Sequence, residues 1–402
     1  MADKGFVFVV GTFDTKAVEL HYVAELILAA GAQPLTVDVS TQAHDAHCDV
    51  SAHEVARHHP TRPDFLGSVR DRGEAVGLMS EALGAFLPAR RDLAAVIGLG
   101  GSGNTSLVTA GMRALPVGTP KLMVSTIASG DVGPIVGPND ITMMYSVTDV
   151  AGINRISRRV LGNAAHAVAG MVVNTVPPGG EGKPPLAMTM FGVTTPCINA
   201  LRSRLDTEFD PLVFHATGTG GQSMEKLIDS GMVVHVMDIT TTEVGDHLVG
   251  GVLSAGEDRF GAIIRRGVPY VGSVGALDMV NFWAKETVPD KYKSRTLYEH
   301  NAVVTLMRTT PQENAEMGTW IGKKLNQMKG PVRFLLPEKG LSQIDAVGQP
   351  FYDPEADGAL FHALESTVEV NDQRKLIRVP AHINDIEFVD ALIAAFREIH
   401  GP

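Results

Sequence analysis

The sequence predicts an α/β protein of two Rossmann-like domains with mainly parallel sheets, joined by a linker rich in proline and glycine. Three observations carry this expectation. Short apolar runs such as Gly5–Val10, Ala94–Ile97 and Leu186–Phe191 are continuous rather than alternating, as strands buried on both faces require. Segments with apolar residues at i, i+3 and i+4 stand between them, and alternating strand and helix builds a parallel sheet covered by helices. Finally, Val176-Pro-Pro-Gly-Gly-Glu-Gly-Lys-Pro-Pro185 holds four prolines and three glycines in ten residues, which divides 1–176 from 186–402.

Composition narrows the function classes. The 402 residues are enough for two domains of ordinary size, and 44% hydrophobic with 20% charged residues describes a globular chain. A formal net charge of −11 argues against a nucleic-acid surface. Two cysteines, Cys48 and Cys197, make no disulfide framework and match no zinc spacing. No segment approaches the roughly 18 apolar residues of a membrane span, and no signal-peptide pattern precedes the first strand. A cytoplasmic protein without membrane or nucleic-acid partners is expected.

In the first domain, Gly5–Val10 runs into Gly11-Thr-Phe-Asp-Thr-Lys16. A helix follows with Leu20, Val23, Ala24, Ile27 and Ala30 on one face, closed by Gly31, and then a strand over Pro34–Val39. This is a βαβ unit, and Asp38 lies about 20 residues past its first turn, where such units place a ribose-binding acid. Gln42–Asp71, with its scattered histidines, reads as a solvated insertion. Gly73–Pro88 reads as a helix with Val76, Met79, Leu83, Phe86 and Leu87 as its stripe. Ala94–Ile97 then enters Gly98, Gly100, Gly101 and Gly103, and Asn104, Thr105 and Ser106 lead into a helix. Small residues there let the backbone approach an anion at a helix N-terminus, although no Walker lysine follows and the spacing is not the dinucleotide fingerprint. Further strands are expected at Lys121–Thr126 and Ile141–Val147, with a structured loop over Gly130–Asp140. A helix over Val150–Met171 carries Ile153, Ile156, Val160, Ala164 and Ala167 on one side, with Arg155, Arg158 and Arg159 on a solvated face.

The second domain restates the theme. Leu186–Phe191 enters Gly192-Val-Thr-Thr-Pro-Cys197, the counterpart of the Gly11 loop. Leu212–Ala216 enters Thr217-Gly-Thr-Gly-Gly-Gln-Ser-Met224, which echoes Gly98–Thr105 by pattern. Strands at 233–237, 269–274, 302–307, 332–336 and 375–379 alternate with helices near 221–229, 311–328, 357–364 and 385–399.

Ligands in such sheets sit beyond the carboxyl ends of the strands. In the first domain this rule gathers Gly11, Thr12, Asp14, Thr15, Lys16, Asp38, Gly100, Gly101, Ser102, Gly103, Asn104, Thr105, Ser129, Gly130 and Asp131. Backbone donors, hydroxyls and one lysine suit a phosphorylated ligand, and Asp14 or Asp131 is placed to hold Mg²⁺ through water. In the second it gathers His215, Glu243 and His382 as acid–base groups, with Thr194, Thr195, Thr217, Gly218, Thr219, Gly220 and Asn384 as substrate contacts. No zinc, kinase or nucleophile-elbow motif appears.

Gly11-Thr-Phe-Asp-Thr-Lys16, Gly98-Leu-Gly-Gly-Ser-Gly-Asn-Thr105, Gly192-Val-Thr-Thr-Pro196, Gly218-Thr-Gly-Gly-Gln-Ser-Met-Glu225 and Ala381-His-Ile-Asn-Asp385 together resemble the UPF0261 family of Tm-1-like proteins. The resemblance implies a two-domain α/β fold, ATP binding in the first domain, and a homodimer or larger assembly. The family pattern has glycine where this chain has Asn104, a residue that tolerates φ > 0 better than most. Three readings stand on these residues. One is an ATP-binding enzyme acting on an unidentified small molecule in the interdomain cleft. The others are a nucleotide-binding regulatory or interaction module without turnover, and a sugar-phosphate enzyme that uses no adenine nucleotide.

Overall fold

A computed structural model describes residues 5–42, 44–45, 47–174, 176 and 182–400. Of the expected linker, Val176–Pro185, residues 177–181 lie outside the described residues. The chain forms two compact units, Met1–Pro178 and Gly179–Pro402.

The first unit runs β1 (Phe6–Gly11), α1 (Phe13–Ala29), β2 (Gln33–Asp38), α2 (Ala52–Ala56), α3 (Arg72–Ala89), β3 (Leu93–Gly100), α4 (Ser102–Ala114), β4 (Lys121–Ser125), α5 (Gly133–Val136), β5 (Thr142–Tyr145) and α6 (Arg155–Val173). Its sheet has the order β2-β1-β3-β4-β5 with every neighbouring pair parallel. Alternate residues of β1 serve opposite faces. Phe8 and Val10 join Met79, Leu83 and Phe86 of α3 and Val108 of α4. Val7 and Val9 join Leu20, Val23 and Ile27 of α1 and Leu161 and Val168 of α6. Both faces of the sheet are therefore dry, which explains the unbroken apolar run.

Two expectations need correction here. Gln42–Asp71 is not simply a solvated insertion: Val50 bridges to Val37, α2 forms within it, and Val50, Val55, Ala56 and Phe65 are buried against α3. His59 is buried too, with Nδ1 accepting from the Thr61 and Arg62 amides. The buried face of the last helix of the unit is also rotated from the expected stripe, of which Ala164 is buried and Ile153, Val160 and Ala167 are partly buried against the core. The helix begins at an Asn154–Ser157 capping box and buries Ser157, Leu161, Ala164, Ala165, Val168 and Val172, leaving Ile156 44% exposed.

The second unit runs β6 (Pro185–Met190), α7 (Thr195–Leu205), β7 (Asp210–His215), α8 (Thr219–Asp229), β8 (His235–Thr240), α9 (Glu243–Val249), α10 (Gly261–Arg266) and β9 (Tyr270–Gly275). There follow β10 (Met279–Phe282), β11 (Leu297–Asn301), β12 (Val304–Arg308), α11 (Pro311–Gln327), β13 (Val332–Pro337), α12 (Pro354–Thr367), β14 (Arg374–Val379) and α13 (Ile386–His400). The main sheet, β14-β13-β9-β8-β6-β7, is parallel and repeats the winding of the first with one strand added. The strand expected at 302–307 is β12, and it belongs instead to a separate antiparallel sheet, β10-β12-β11.

The shared winding also corrects the internal comparison. By order, β8 and α9 correspond to β3 and α4, so the Thr217–Met224 loop, which follows β7, is not the counterpart of Gly98–Thr105.

The end of α13 carries a pH dependence. His400 Nδ1 lies 3.0 Å from His235 Nδ1; the Phe396 ring packs on both imidazoles and that of Phe209 on His235. Burial pushes both imidazoles down, His400 to about 4, with the neighbouring His235 charge as the second cause for His400. An unfolded histidine titrates near ~6.5, so the unfolded chain binds more protons between there and the folded value. This pair's share of stability is therefore lost as pH falls through that window. Urea unfolding between pH 7 and pH 4 should show a shallower acid decline for His400→Gln than for wild type, and equal slopes would contradict the assignment.

Candidate functional site

In a sheet of order 2-1-3-4-5 the chain leaves β1 and β3 toward opposite faces, opening a crevice at their carboxyl ends. A cleft of about 480 Å³ lies there. Thr12, Asp14, Thr15 and Lys16 line it from the start of α1, and Gly101, Ser102, Gly103 and Asn104 from the start of α4. The sequence reading missed Thr41, Gln42, Arg72, Val76, Leu107 and Asp149, which complete the wall.

The glycine-rich turn has a local explanation. Gly98 lets α4 lie against β3, since a Cβ there would stand 2.6 Å from Val108 Cγ1. Gly100 has φ +150°, and a Cβ would press on Asn104 at 3.0 Å. Asn104 itself is an ordinary helical residue of α4, so tolerance of positive φ is not what it supplies. Its Nδ2 donates to the Leu99 carbonyl and ties the helix start to the strand end.

The helix N-termini separate binding surface from scaffold. An α-helix begins with N–H groups that lack intrahelical partners. For α1, Asp38 Oδ1 accepts from the Phe13 N–H and Ser40 Oγ from the Asp14 N–H. For α7, Asn384 Oδ1 accepts from Cys197 N–H. For α8 the acceptor is Glu243, and for α10 it is Glu225. Helix α4 differs: its N-cap is Gly101, and no described residue accepts from the N–H groups of Ser102, Gly103 or Asn104. Those donors converge on the cleft beside two cations, Lys16 and Arg72.

The remaining first-unit candidates fall outside the lining. Gly11, Gly100 and Thr105 sit behind the cleft, with Thr105 buried and its hydroxyl 2.7 Å from that of Ser125. Ser129, Gly130 and Asp131 follow β4, where Asp131 accepts from Gly133 N–H. Among the carboxylates at the cleft, Asp14 is joined by Asp149 rather than by Asp131.

In the second unit the carboxyl ends of the strands are filled by protein. Phe191 and Val193 beyond β6 and Ala276 beyond β9 pack with Leu253, Met279, Leu306, Ile344 and Phe351. Thr194 is buried, its hydroxyl 2.8 Å from that of Thr240, and Thr195 Oγ1 donates to the Phe191 carbonyl. Asn384 also donates to the Val193 carbonyl. His382 Nε2 lies 2.9 Å from the Ser342 carbonyl while Nδ1 accepts from Asn384 N–H, so both ring nitrogens are engaged in one neutral tautomer. Glu243 is buried against Arg259 and accepts from the Gly218 and Gly221 amides. These residues hold the fold. His215, Thr217, Thr219 and Gly220 remain at the rim of the β7–α8 turn, where Thr217 donates to the His215 carbonyl and burial pushes the His215 imidazole down.

Among the described residues no group of three or more His, Cys, Asp or Glu is set to hold a metal ion, and no helix is long and apolar enough to cross a membrane.

Comparison with known proteins gives matches over both units. The family model described as "Uncharacterised protein family (UPF0261) N-terminal domain" matches residues 5–177, and its C-terminal-domain partner matches 183–400. A UPF0261 protein of Rhizobium meliloti is 57% identical over 396 residues, covering 98% of this chain and 99% of that one. One of Clostridium tetani is 45% identical over 391 residues, 96% of each chain. The tomato ToMV resistance protein Tm-1 is 43% identical over 418 residues, 98% of this chain but 55% of that longer protein. The tomato ToMV-susceptible counterpart is 42% identical over the same length.

Proposed function

This chain belongs to the UPF0261 family, and from that premise we propose that its N-terminal unit binds ATP, or a nucleotide closely related to it, in the cleft between the ends of β1 and β3. The observation that carries the proposal is the first turn of α4. Three amide donors there receive no acceptor among the described residues, whereas the starts of α1, α7, α8 and α10 are served by Asp38 and Ser40, Asn384, Glu243 and Glu225. Converging N–H groups and the positive end of a helix favour an anion, and phosphate is the anion such strand-to-helix turns take. Lys16 adds a point charge and Arg72 a planar fork for phosphate oxygens. Asp14 and Asp149 are the carboxylates at hand for Mg²⁺, which keeps most of its waters and borrows oxygens from phosphate.

The same geometry favours a binding role over catalysis by the second-unit residues. Glu243 and His382 spend their hydrogen-bonding atoms on backbone groups and Arg259. The tomato proteins add no partner to this reading, because resistant and susceptible forms are matched almost equally, at 43% and 42%.

Calorimetric titration of nucleotide-free protein with ATP, with and without Mg²⁺, tests the proposal. Saturable heat is expected, and Lys16→Ala should weaken binding about tenfold, since it removes one charge and leaves the amide donors in place. No heat and no thermal shift in the wild type would end the ATP reading.

A further inference from the structure

One segment closes the carboxyl ends of the second sheet. Residues 338–353, between β13 and α12, form neither helix nor strand. Loops longer than about 12–15 residues without structure of their own are most often lids or binding loops. This one contributes Ile344 and Phe351 to the buried cluster of Phe191, Ala276 and Leu306, while Val347 and Tyr352 stay exposed. Beneath it Ala276, fully buried just beyond β9, has φ +57°, and its N–H donates to the Leu341 carbonyl. A non-glycine residue held in that region stores backbone strain, which gathers at ligand clamps and switches.

The segment is fastened where one guanidinium meets three acids. Arg308 Nε donates to the Phe351 carbonyl, and its Nη2 to the Asp353 carbonyl and to Asp357 Oδ1. Asp278 Oδ2 accepts from Ser342 Oγ and Asp345 Oδ2 from Leu341 N–H, so both acids grip the same turn. No described residue donates to Asp278 Oδ1 or Asp345 Oδ1, and Arg308 Nη2 stays 3.8 Å from the latter. Arg308 and the three acids are all buried. Three ionised carboxylates against one guanidinium would leave negative charge uncompensated in the interior. A proton removes that excess and turns an orphaned acceptor into a donor.

We infer that Asp278, Asp345 and Asp357 share a retained proton at neutral pH, and that this proton latches residues 338–353 as a lid over the crevice of the second sheet. Burial, then the Asp345 charge, raises Asp278 to about 7 and Asp357 to about 8, against the pull of Arg308. With the lid open the hydrated carboxylates titrate near ~3.9, so the closed form binds more protons. Closure therefore weakens as pH rises through about 7 to 8. The other charged neighbours are engaged elsewhere. Arg295 pairs with Glu313, Asp353 accepts from Ala356 N–H at the start of α12, His382 lies against the Ser342 carbonyl, and Tyr298 packs edge-on to Phe351. Asp246, raised to about 7 by burial, accepts from Asn281 in β10, outside the lid.

Amide hydrogen exchange on the full chain tests the latch, read as protection factors so that the intrinsic pH dependence of exchange cancels. In wild type the bonded amides of Leu341, Asp345 and Phe351 should lose about tenfold or more in protection between pH 7 and pH 9, while those of β13 hold. Asp278→Asn keeps the shape, supplies a donor and cannot ionise. It should leave the lid closed at both pH values. Wild-type protection of the lid that changes less than twofold would overturn the inference without recourse to the variant. A full wild-type response surviving in folded Asp278→Asn would overturn it too, as would an equal loss in β13, which marks general unfolding instead of lid opening.

Discussion

Replacing Arg259 with methionine will unfold the second unit or leave it barely stable. The guanidinium is fully buried and meets three carboxylates: Glu243 at 2.8 Å, Asp238 at 2.7 Å and Glu225 at 3.1 Å. The remaining acceptor sites of those acids are also engaged. Glu243 takes the Gly218 and Gly221 amides, Glu225 those of Phe260 and Ala262, and Asp238 the hydroxyls of Thr189 and Tyr270. Burial pushes Arg259 toward losing its proton, but the three acids outweigh it and hold the cation firmly charged. For Glu225 and Glu243 burial wins over the attraction of Arg259, and both are raised above the ordinary range.

Removing the cation leaves several buried acids facing one another, and breaking a single buried pair already costs about 3–5 kcal/mol. Domains have only about 5–15 kcal/mol in hand. The pH sign follows from the raised carboxylates. Their folded pKa lies above the unfolded value of about 4.3, so the folded state takes up protons first, and stability falls as pH rises through the folded value. Arg259→Met should therefore be less unstable near pH 5 than near pH 8. Chemical unfolding at both pH values checks this, and a loss under about 1 kcal/mol at pH 8 would show that the network is dispensable.

That network also shows where sequence reading stops. The sequence places Glu243 beyond a strand end as an acid–base candidate, but a carboxylate that caps a helix looks the same in sequence as one that moves a proton. Only its pairing with Arg259, 16 residues away, and with the Gly218 turn tells them apart. His382 and Asn384 repeat the lesson, since their partners Ser342, Val193 and Cys197 come from distant segments. By contrast, the Gly98–Thr105 turn was legible because its requirements are local: close packing at Gly98, a positive φ at Gly100, and a helix start just after.

Arg72 was invisible for the opposite reason. It reaches the cleft because the chain between β2 and α3 folds back onto the sheet through Val50, Val55 and Phe65, and the histidines around them disguise that apolar anchoring. Around α6 the stripe through Ile153, Ile156, Val160, Ala164 and Ala167 and the one through Leu161, Ala164, Ala165 and Val168 both have helical spacing and share Ala164. The second is buried outright, its alanines letting α6 lie close to the sheet, while Ile153, Val160 and Ala167 are partly buried at its margin.

Gly103→Asp should abolish nucleotide binding without harming the fold. Gly103 is the second residue of α4, exposed, with nothing within 4 Å of the position its Cβ would take. Any side chain there relieves the cost of glycine in a helix, roughly 0.5–1 kcal/mol, and an acid in the first turn adds about 0.3–1 kcal/mol through the helix dipole. Thermal stability should hold or rise. Yet the new carboxylate lies where the phosphate is proposed to bind: it competes for the amides of Ser102, Gly103 and Asn104 and repels a polyanion. A loss of at least a hundredfold in ATP affinity is expected, about 2.7 kcal/mol or more. Gly103→Asn separates charge from bulk, because it has nearly the same shape and no charge. It should retain part of the binding that Asp destroys. Gly103→Asp binding ATP within threefold of wild type, at equal stability, would mean that the phosphates do not lie at the start of α4.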